Sequence, residues 1–242
     1  MRIFSKILTL ALCLPFLLSA QDDSKKYRAV ELSYMKAKIG MEAKFEAAVK
    51  AHNAKYHKEG AYESELYAIA TGNETGWYVW TMGGFTFTEL DGRPGEGAHQ
   101  DDWNKTIAPY VEDYGRVEYW RMNADLSARN DAEEDETMIQ IWWIDVESGE
   151  YYRFKKVVAD VTAVHKKMND QMSTYENEFT QGDGRDVALV WPMKNWASMD
   201  DDSWKMKEEF EKMHGEGSWR LALEEWEDVI AGNVQEVWRV VK

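Results

Sequence analysis

An internal repeat is the sequence feature that most constrains how this chain can fold. A strand-like alternating run, a glycine and a helix-borne phenylalanine occur twice, as 30–34, Gly40 and Phe45 and again as 139–143, Gly149 and Phe154. Each half also ends in the pattern Glu-x-Trp-Arg, at 118–121 and 236–239. A unit of about 110 residues that occurs twice indicates a duplicated domain, because solenoid repeats are shorter and more numerous.

The first 20 residues have the layout of a secretory signal peptide. Arg2 and Lys6 form a short basic region, 7–18 is apolar, and small residues precede Gln21. A retained membrane anchor is the alternative, although the apolar run is short for a membrane span. The single cysteine, Cys13, lies in this segment. We therefore expect an exported periplasmic or extracellular protein whose mature form has no disulfide or cysteine metal ligand.

Composition and charge restrict the partners. The chain carries a formal net charge of −15, and the signal segment adds only positive charge to that sum. Such a surface repels nucleic acids and anionic membranes, so we expect neither as a partner after signal cleavage. Twelve Trp, twelve Tyr and eight Phe predict a large aromatic core. We expect a monomer or a homodimer.

Hydrophobic periodicity predicts the order strand–helix–strand–strand–helix–strand in each half. This is the split βαβ, or ferredoxin-like, plan, in which two helices cover one face of a four-stranded sheet. The units are assigned to 27–122 and 137–242, with 123–136 as a polar, acidic linker. The glycine-rich stretch 83–100 is interpreted either as a lid over a barrel mouth or as a disordered surface loop.

Each sheet has a second half-apolar face that something must cover, and a tandem copy can supply that cover. Two tandem ferredoxin-like (βαββαβ) units of α+β class would then close into one barrel within the chain. The repeat and the stretch 190–200 (VWPMKNWASMD) resemble the dimeric α+β barrel superfamily, which includes antibiotic-biosynthesis-type monooxygenases and NIPSNAP-like proteins. The resemblance implies this fold and allows monooxygenase activity, but it carries no catalytic signature.

Alternation on the first strand of each half suggests which side chains enter the barrel. If Val30 and Leu32 pack under the helices, Glu31 points inward, and Trp142 does so in the second half. Glu31 is thus the weak candidate for catalysis, or else it forms a structural ion pair with Arg121 or Arg239. The expected ligand-binding residues share acidic or aromatic character; they are Glu31, Tyr67, Trp80, Trp120, Trp142 and Trp238.

The last strand of each half leaves its orientation open. Glu118 and Trp120, like Glu236 and Trp238, share one face of a strand, but the pattern does not say which face is inward. Their recurrence fits ligand binding in each half, and it fits inherited packing better because tryptophan is highly buried on average.

Histidine spacing predicts no metal site. His52 and His165 lie on apolar helix stripes. His57 is close to His52 in sequence, and His99 lies in the glycine-rich stretch. No HxH or HxxxH pair occurs in the sequence. The resemblance makes His165 a conceivable axial ligand of haem, although a histidine on an apolar stripe is more often a hydrogen-bonded core residue. We expect no cofactor and no metal.

Two functions from different classes remain. The first is an exported small-molecule-binding protein with an aromatic-lined barrel pocket for a neutral or cationic, partly aromatic ligand. The alternative is a cofactor-independent monooxygenase-like enzyme, implied by the resemblance, with a haem protein as a less favoured third. Whether the protein is an enzyme is left open at this point.

Overall fold

The computed structural model describes residues 27–129, 137–200 and 205–242. The predicted signal peptide and residues 130–136 of the predicted linker lie outside the described residues. No helix in these ranges is long and apolar enough to cross a membrane.

Both halves follow the predicted order of elements. The first half contains β1 (Ala29–Ala37), α1 (Glu42–Tyr56), β2 (Ser64–Ile69), β3 (Tyr78–Phe85), α2 (Phe87–Leu90), α3 (Ala98–Thr106) and β4 (Val111–Met122). The second contains β5 (Met138–Val146), α4 (Tyr151–Met168), β6 (Ser173–Asn177), β7 (Val187–Met193), α5 (Met206–His214), α6 (Ser218–Val229) and β8 (Ile230–Val240).

The eight strands form one closed antiparallel barrel in the order β1-β3-β2-β8-β5-β7-β6-β4. Within each half the strand order is the same, with the last strand beside the first. The halves join at two short seams, where Tyr67 pairs with Val240 and Trp120 with Asn177. The prediction that the two sheets close on each other is therefore confirmed by the strand pairing.

Apolar side chains fill three layers. The helices of the first half cover a cluster that includes Phe45, Val49 and Met82, and those of the second cover one around Phe154. A third cluster, containing Leu32 and Ile141, fills the barrel interior. Both faces of the sheets are apolar because both are covered, one by helices and one by the opposite sheet.

Part of the predicted linker packs into the protein. Helix α3 ends at Thr106 and gives way to a 3₁₀ turn and β4, which starts at Val111. Residues 126–128, which fall in the predicted polar linker 123–136, are buried. The carbonyl of Leu126 accepts from the hydroxyls of Thr162 and Thr174, so this polar-looking segment is part of the second half's core.

Candidate functional sites

A cavity of about 450 Å³ lies between the two sheets. Its walls are aliphatic and aromatic, and they include Val30, Leu32, Trp120, Ile141, Trp143 and Trp238. The two last strands place their tryptophans inward, which settles the orientation that their own pattern left open. An apolar cavity of this size at a sheet–sheet interface is typical of a site for a small organic molecule.

The indole N–H groups of the three wall tryptophans are all turned to carboxylates that do not line the cavity. Trp120 donates to Glu118 at 3.1 Å, and Trp143 and Trp238 both donate to the same oxygen of Glu236, at 3.0 and 2.9 Å. Because these donors are already used, the rings present only carbon to the cavity.

The Glu236 side chain packs closely against the backbone of Gly72. Gly72 has φ of +98°, and a Cβ there would lie 2.8 Å from the Cγ of Glu236. Glycine is required at this turn both for its backbone conformation and for the space that the carboxylate occupies.

A buried ion-pair network lies beneath Trp143. One Arg185 nitrogen donates to the Tyr34 hydroxyl at 2.6 Å and to Glu118 at 3.3 Å. The guanidinium carbon of Arg185 lies 3.6 Å from the centre of the Trp143 ring. Burial raises the pKa of Glu118, and Arg185 and Arg116 act in the opposite direction. The guanidinium thus packs over the Trp143 ring, and Arg185 itself does not line the cavity.

Polar side chains lie where the cavity opens. Glu63 and Glu65 are exposed and line the cavity, and the Tyr67 hydroxyl donates to Glu65 at 2.7 Å. Arg129 and Gln171 also line it. A ligand would thus meet mixed polar groups at the entrance and only apolar surface deeper inside.

The structure places half of the predicted ligand-binding residues at this cavity. Tyr67, Trp120 and Trp238 line it, and Glu31, Trp80 and Trp142 do not. The predicted face assignment of β1 and β5 is therefore wrong. Alternation separates two faces, but it does not identify them, and here the barrel side is the more apolar of the two.

The three misplaced residues lie beneath the helices instead. Trp142 packs against Trp191 with ring centres 5.3 Å apart, and the Trp80 indole donates to Asn53 of α1 at 3.0 Å. Glu31 is 3% exposed and pairs with Arg93 at 2.6 Å. The ion-pair alternative for Glu31 was right in kind, but its partner comes from the glycine-rich stretch and not from Arg121 or Arg239.

The same stretch brings a third histidine to two others, a cluster that the sequence analysis did not find. His52 lies in α1, His57 at its C-terminal end and His99 in the first turn of α3. The Nε2 of His99 lies 3.2 Å from that of His52 and 2.9 Å from that of His57. Arg93 and His99 thus lie on the helix side of the first sheet, whereas Gly83 and Gly84 of the same stretch line the cavity between the sheets.

The outer nitrogens of two cluster histidines have fixed partners. Nδ1 of His52 lies 2.8 Å from an Asp102 carboxylate oxygen, and Nδ1 of His57 lies 2.8 Å from the carbonyl oxygen of Tyr62. Burial lowers the pKa of His57 to about 4 and also lowers the pKa of His99. His57 and His99 are therefore neutral at pH 7.

A second cavity, of about 200 Å³, opens beside the cluster. His57, His99, Trp80, Trp103 and Arg93 line it. We call it the helix-side pocket. His57 and His99 thus face this pocket and not the cavity between the sheets.

The surroundings of His165 do not fit an axial haem ligand. Its side chain is fully buried, and its Nδ1 lies 2.9 Å from Asp170. It lines neither cavity described above, nor the shallower one beside Arg28 and Met122. A haem would need open space beside the ring, and His165 lies instead on the buried face of α4.

Only one weak signal in the sequence pointed to the histidine cluster. His52 and His57 are five residues apart, which is not a spacing that metal motifs use on one helix, and His99 is far from both. The weak signal is Asp102, which follows His99 by one helical turn. An aspartate is a residue type that orients histidine ligands, but many surface helices contain a histidine and an aspartate at this spacing.

No family model and no curated protein matches the sequence. Solved structures do match its fold. A protein from Fusobacterium nucleatum described as a candidate monooxygenase aligns with a TM-score of 0.58 at 13% identity, over 90% of this chain and 94% of that one. A similarly described protein from Lactobacillus acidophilus gives 0.57 at 9% identity, over 90% and 95%.

A structure described as an anthrone oxidase-like protein aligns with a TM-score of 0.50 at 10% identity, over 90% of this chain and 93% of that one. Identities this low carry information on the fold and not on the reaction. The closed eight-stranded barrel and these likenesses show that the chain has the fold of the dimeric α+β barrel superfamily, with both halves of the barrel in one polypeptide.

Proposed function

We propose that the protein binds a small, neutral, largely apolar and aromatic molecule in the cavity between its two sheets. The observation that carries this proposal is the wall of three tryptophans whose N–H groups are all used by carboxylates outside the cavity. A wall of that kind stacks against flat rings and offers no partner to a polar group.

The electrostatics of the cavity favour a neutral ligand over the cationic one that the sequence also allowed. The acidic residues behind the apolar walls, Glu118 and Glu236, are engaged by indoles and arginine, and neither lines the cavity. The two glutamates that do line it, Glu63 and Glu65, are exposed at its entrance. A cation against the tryptophan wall would have to lose its hydration without gaining a carboxylate, which costs several kcal/mol.

Fluorescence with the neutral probe N-phenyl-1-naphthylamine tests the proposal. Binding should quench tryptophan emission, enhance probe emission by energy transfer, and saturate at one probe per chain. Val190 lines the cavity, so Val190→Trp should fill it and weaken probe binding at least about tenfold. Leu221→Trp, which adds the same indole at an exposed helix position, is the matched control and should bind normally.

Two results would overturn this proposal. One is equal probe binding by wild type and a Val190→Trp variant whose circular dichroism shows a folded protein. The other is a wild-type protein that binds no neutral aromatic probe at all.

A second candidate is a cofactor-independent monooxygenase-like enzyme. The comparisons favour it over a simple binding protein, since the similar structures are described as monooxygenases or as anthrone oxidase-like. The residues proposed to act are not those expected from the sequence. Glu31 is engaged by Arg93 and Ser33, whereas His57 and His99 are neutral imidazoles facing the helix-side pocket.

The chemistry available there is proton removal from an acidic C–H group. An imidazole takes the proton, the resulting carbanion reduces O₂ and forms a C–O bond, and the hydroperoxide loses water to leave a ketone. The substrate supplies all the electrons, so that no other reductant is needed.

Oxygen uptake with anthrone as the probe, in buffer containing a chelator, tests this candidate. We expect O₂ consumption above the protein-free rate, with matching formation of the quinone. His57→Gln should lower that rate at least about 100-fold. His214→Gln, at an exposed helix end, should not. Equal rates for both variants, or no rate above background, would refute it.

The proposal includes export. Residues 1–20 have the signal-peptide layout, and the acidic remainder suits an extracytoplasmic protein with no cysteine chemistry. Mass spectrometry of the protein from its own host tests this, and a mature chain that still begins at Met1 would contradict it.

A further inference from the structure

The three histidines of the cluster all direct the same atom inward. The Nε2 atoms of His52, His57 and His99 lie within 4.8 Å of one another. Tetrahedral coordination with metal–nitrogen bonds of about 2.1 Å requires donor atoms roughly 3.4 Å apart. Two of the separations, 3.2 and 2.9 Å, lie within about 0.5 Å of that value.

The partners of the outer nitrogens determine where the protons are. A carbonyl oxygen and a carboxylate only accept hydrogen bonds, so Nδ1 of His57 and Nδ1 of His52 carry the hydrogen. His57 is neutral, so its Nε2 presents a lone pair. A hydrogen on Nε2 of His99 can be donated to His52 or to His57, but not to both.

The two Nε2–Nε2 contacts of His99 therefore share one hydrogen, so the cluster lacks one hydrogen-bond donor. Two of its rings are 1% and 2% exposed, so the missing donor is costly to replace. A cation at the point where the three Nε2 atoms meet satisfies all three lone pairs at once. His99 then holds its proton on Nδ1, a buried atom for which the described residues provide no hydrogen-bond partner.

The surroundings resemble those of protein metal ligands. Metal-bound histidines usually donate their other nitrogen to a carboxylate or a backbone carbonyl, which fixes the ring, and His52 and His57 show one of each. Asp102 is itself held by Lys55 at 3.1 Å, and its pKa is lowered chiefly by the hydrogen bond from His52.

We propose that His52, His57 and His99 bind one divalent first-row transition-metal ion of the Zn²⁺ or Fe²⁺ class through their Nε2 atoms. Three neutral imidazoles suit such ions and are poor ligands for Ca²⁺ or Mg²⁺. The helix-side pocket, lined by His57 and His99, leaves one side of the ion accessible to a water or a small molecule. Three protein ligands with an open position are typical of catalytic metal sites and not of structural ones.

Metal titration of the signal-free protein, after treatment with a chelator, tests this proposal. Zn²⁺ should bind at one equivalent per chain in the presence of millimolar Ca²⁺ and Mg²⁺, which saturate surface carboxylates. Co²⁺ should give the intense visible absorption of a four- or five-coordinate nitrogen site. These readouts need no substrate, so they test the metal site separately from either proposed function. A metal on Nε2 of His57 would occupy the lone pair that the second candidate function uses as a base.

Variants distinguish this site from incidental binding. His99→Gln should lower Zn²⁺ affinity more than about 100-fold, and Asp102→Asn, which keeps all three ligands, about 10- to 100-fold. His214→Gln is the matched control and should bind like wild type. Circular dichroism and the thermal midpoint show whether each variant is folded.

The proposal is overturned if the folded wild type binds less than about one tenth of an equivalent of Zn²⁺. It is also overturned if a folded His99→Gln protein keeps wild-type affinity and the Co²⁺ absorption. Loss of affinity in His99→Gln and Asp102→Asn, with retention in His214→Gln, supports it.

Discussion

Replacing Glu236 by leucine and by glutamine tests how the wall of the barrel cavity is held. Both substitutions remove the charge, but only glutamine keeps an oxygen for the two indole N–H groups, which donate at 3.0 and 2.9 Å in the wild type. In Glu236→Leu both N–H groups are buried without a partner, at about 1–3 kcal/mol each.

The expected difference follows from those values. Two unpaired N–H groups cost about 2–6 kcal/mol, and leucine regains about 1–2 kcal/mol by burying more apolar surface than glutamine. Glu236→Leu should therefore be about 0–5 kcal/mol, with a central value of about 2.5 kcal/mol, less stable than Glu236→Gln. Urea unfolding followed by far-ultraviolet circular dichroism, with equal m-values, measures the difference.

The matched control is the same pair of substitutions at Glu227, an exposed position in α6. Leucine and glutamine have similar helix propensities, so those two variants should agree within about 0.5 kcal/mol. If the two Glu236 variants also agree within that margin, the carboxylate does not hold the indoles as described, and the argument for an all-carbon wall fails.

Three further predictions concern stability. Gly72→Ala should cost about 1–3 kcal/mol more than Gly40→Ala in urea unfolding, because both have positive φ but only Gly72 lies against Glu236; equal losses would contradict this. Phe154→Ala should cost about 3–5 kcal/mol, because the ring is fully buried beneath α4, and a loss under 1 kcal/mol would show that the second outer core is loosely packed. Burial raises the pKa of Glu118 above 4.5 in the folded protein, so its contribution to stability is complete below that value and is lost as pH rises through the folded pKa. The stability of wild type relative to Glu118→Gln should thus decline as the pH rises above 4.5, and a rising difference would contradict that sign.

The architecture was predictable because two independent patterns agreed on it. The repeat fixed the number of units, and the alternation around Val30 and Ile139 fixed strands that need cover on both faces. Tyr67, Trp120 and Trp238 could be placed near a cavity because large aromatic residues on such strands must be buried somewhere between the layers.

The sequence did not predict which face of each sheet enters the barrel, because alternation separates two faces without identifying them. Glu31 looked suited to a pocket and Val30 to a core, yet the helix side supplies the charged partner that a buried carboxylate needs. That partner, Arg93, comes from a loop whose path depends on tertiary contacts, so the local sequence around Glu31 contains no trace of it.

The histidine cluster was missed for a related reason. Metal motifs are recognised when ligands share one helix or one turn, and here His99 reaches His52 and His57 from another element. What joins them is the packing of α3 against α1, and single-sequence patterns do not report that contact.

Joining both sheets in one polypeptide has an evolutionary consequence. In a barrel made of two identical subunits, symmetry copies every substitution into both sides. Here a mutation changes one side alone, and among the described residues a triple-histidine arrangement occurs under the first sheet, whereas the aromatic packing around Trp142 and Trp191 lies under the second. A barrel with both sheets in one polypeptide lets one half change its side chains while the other keeps the barrel intact.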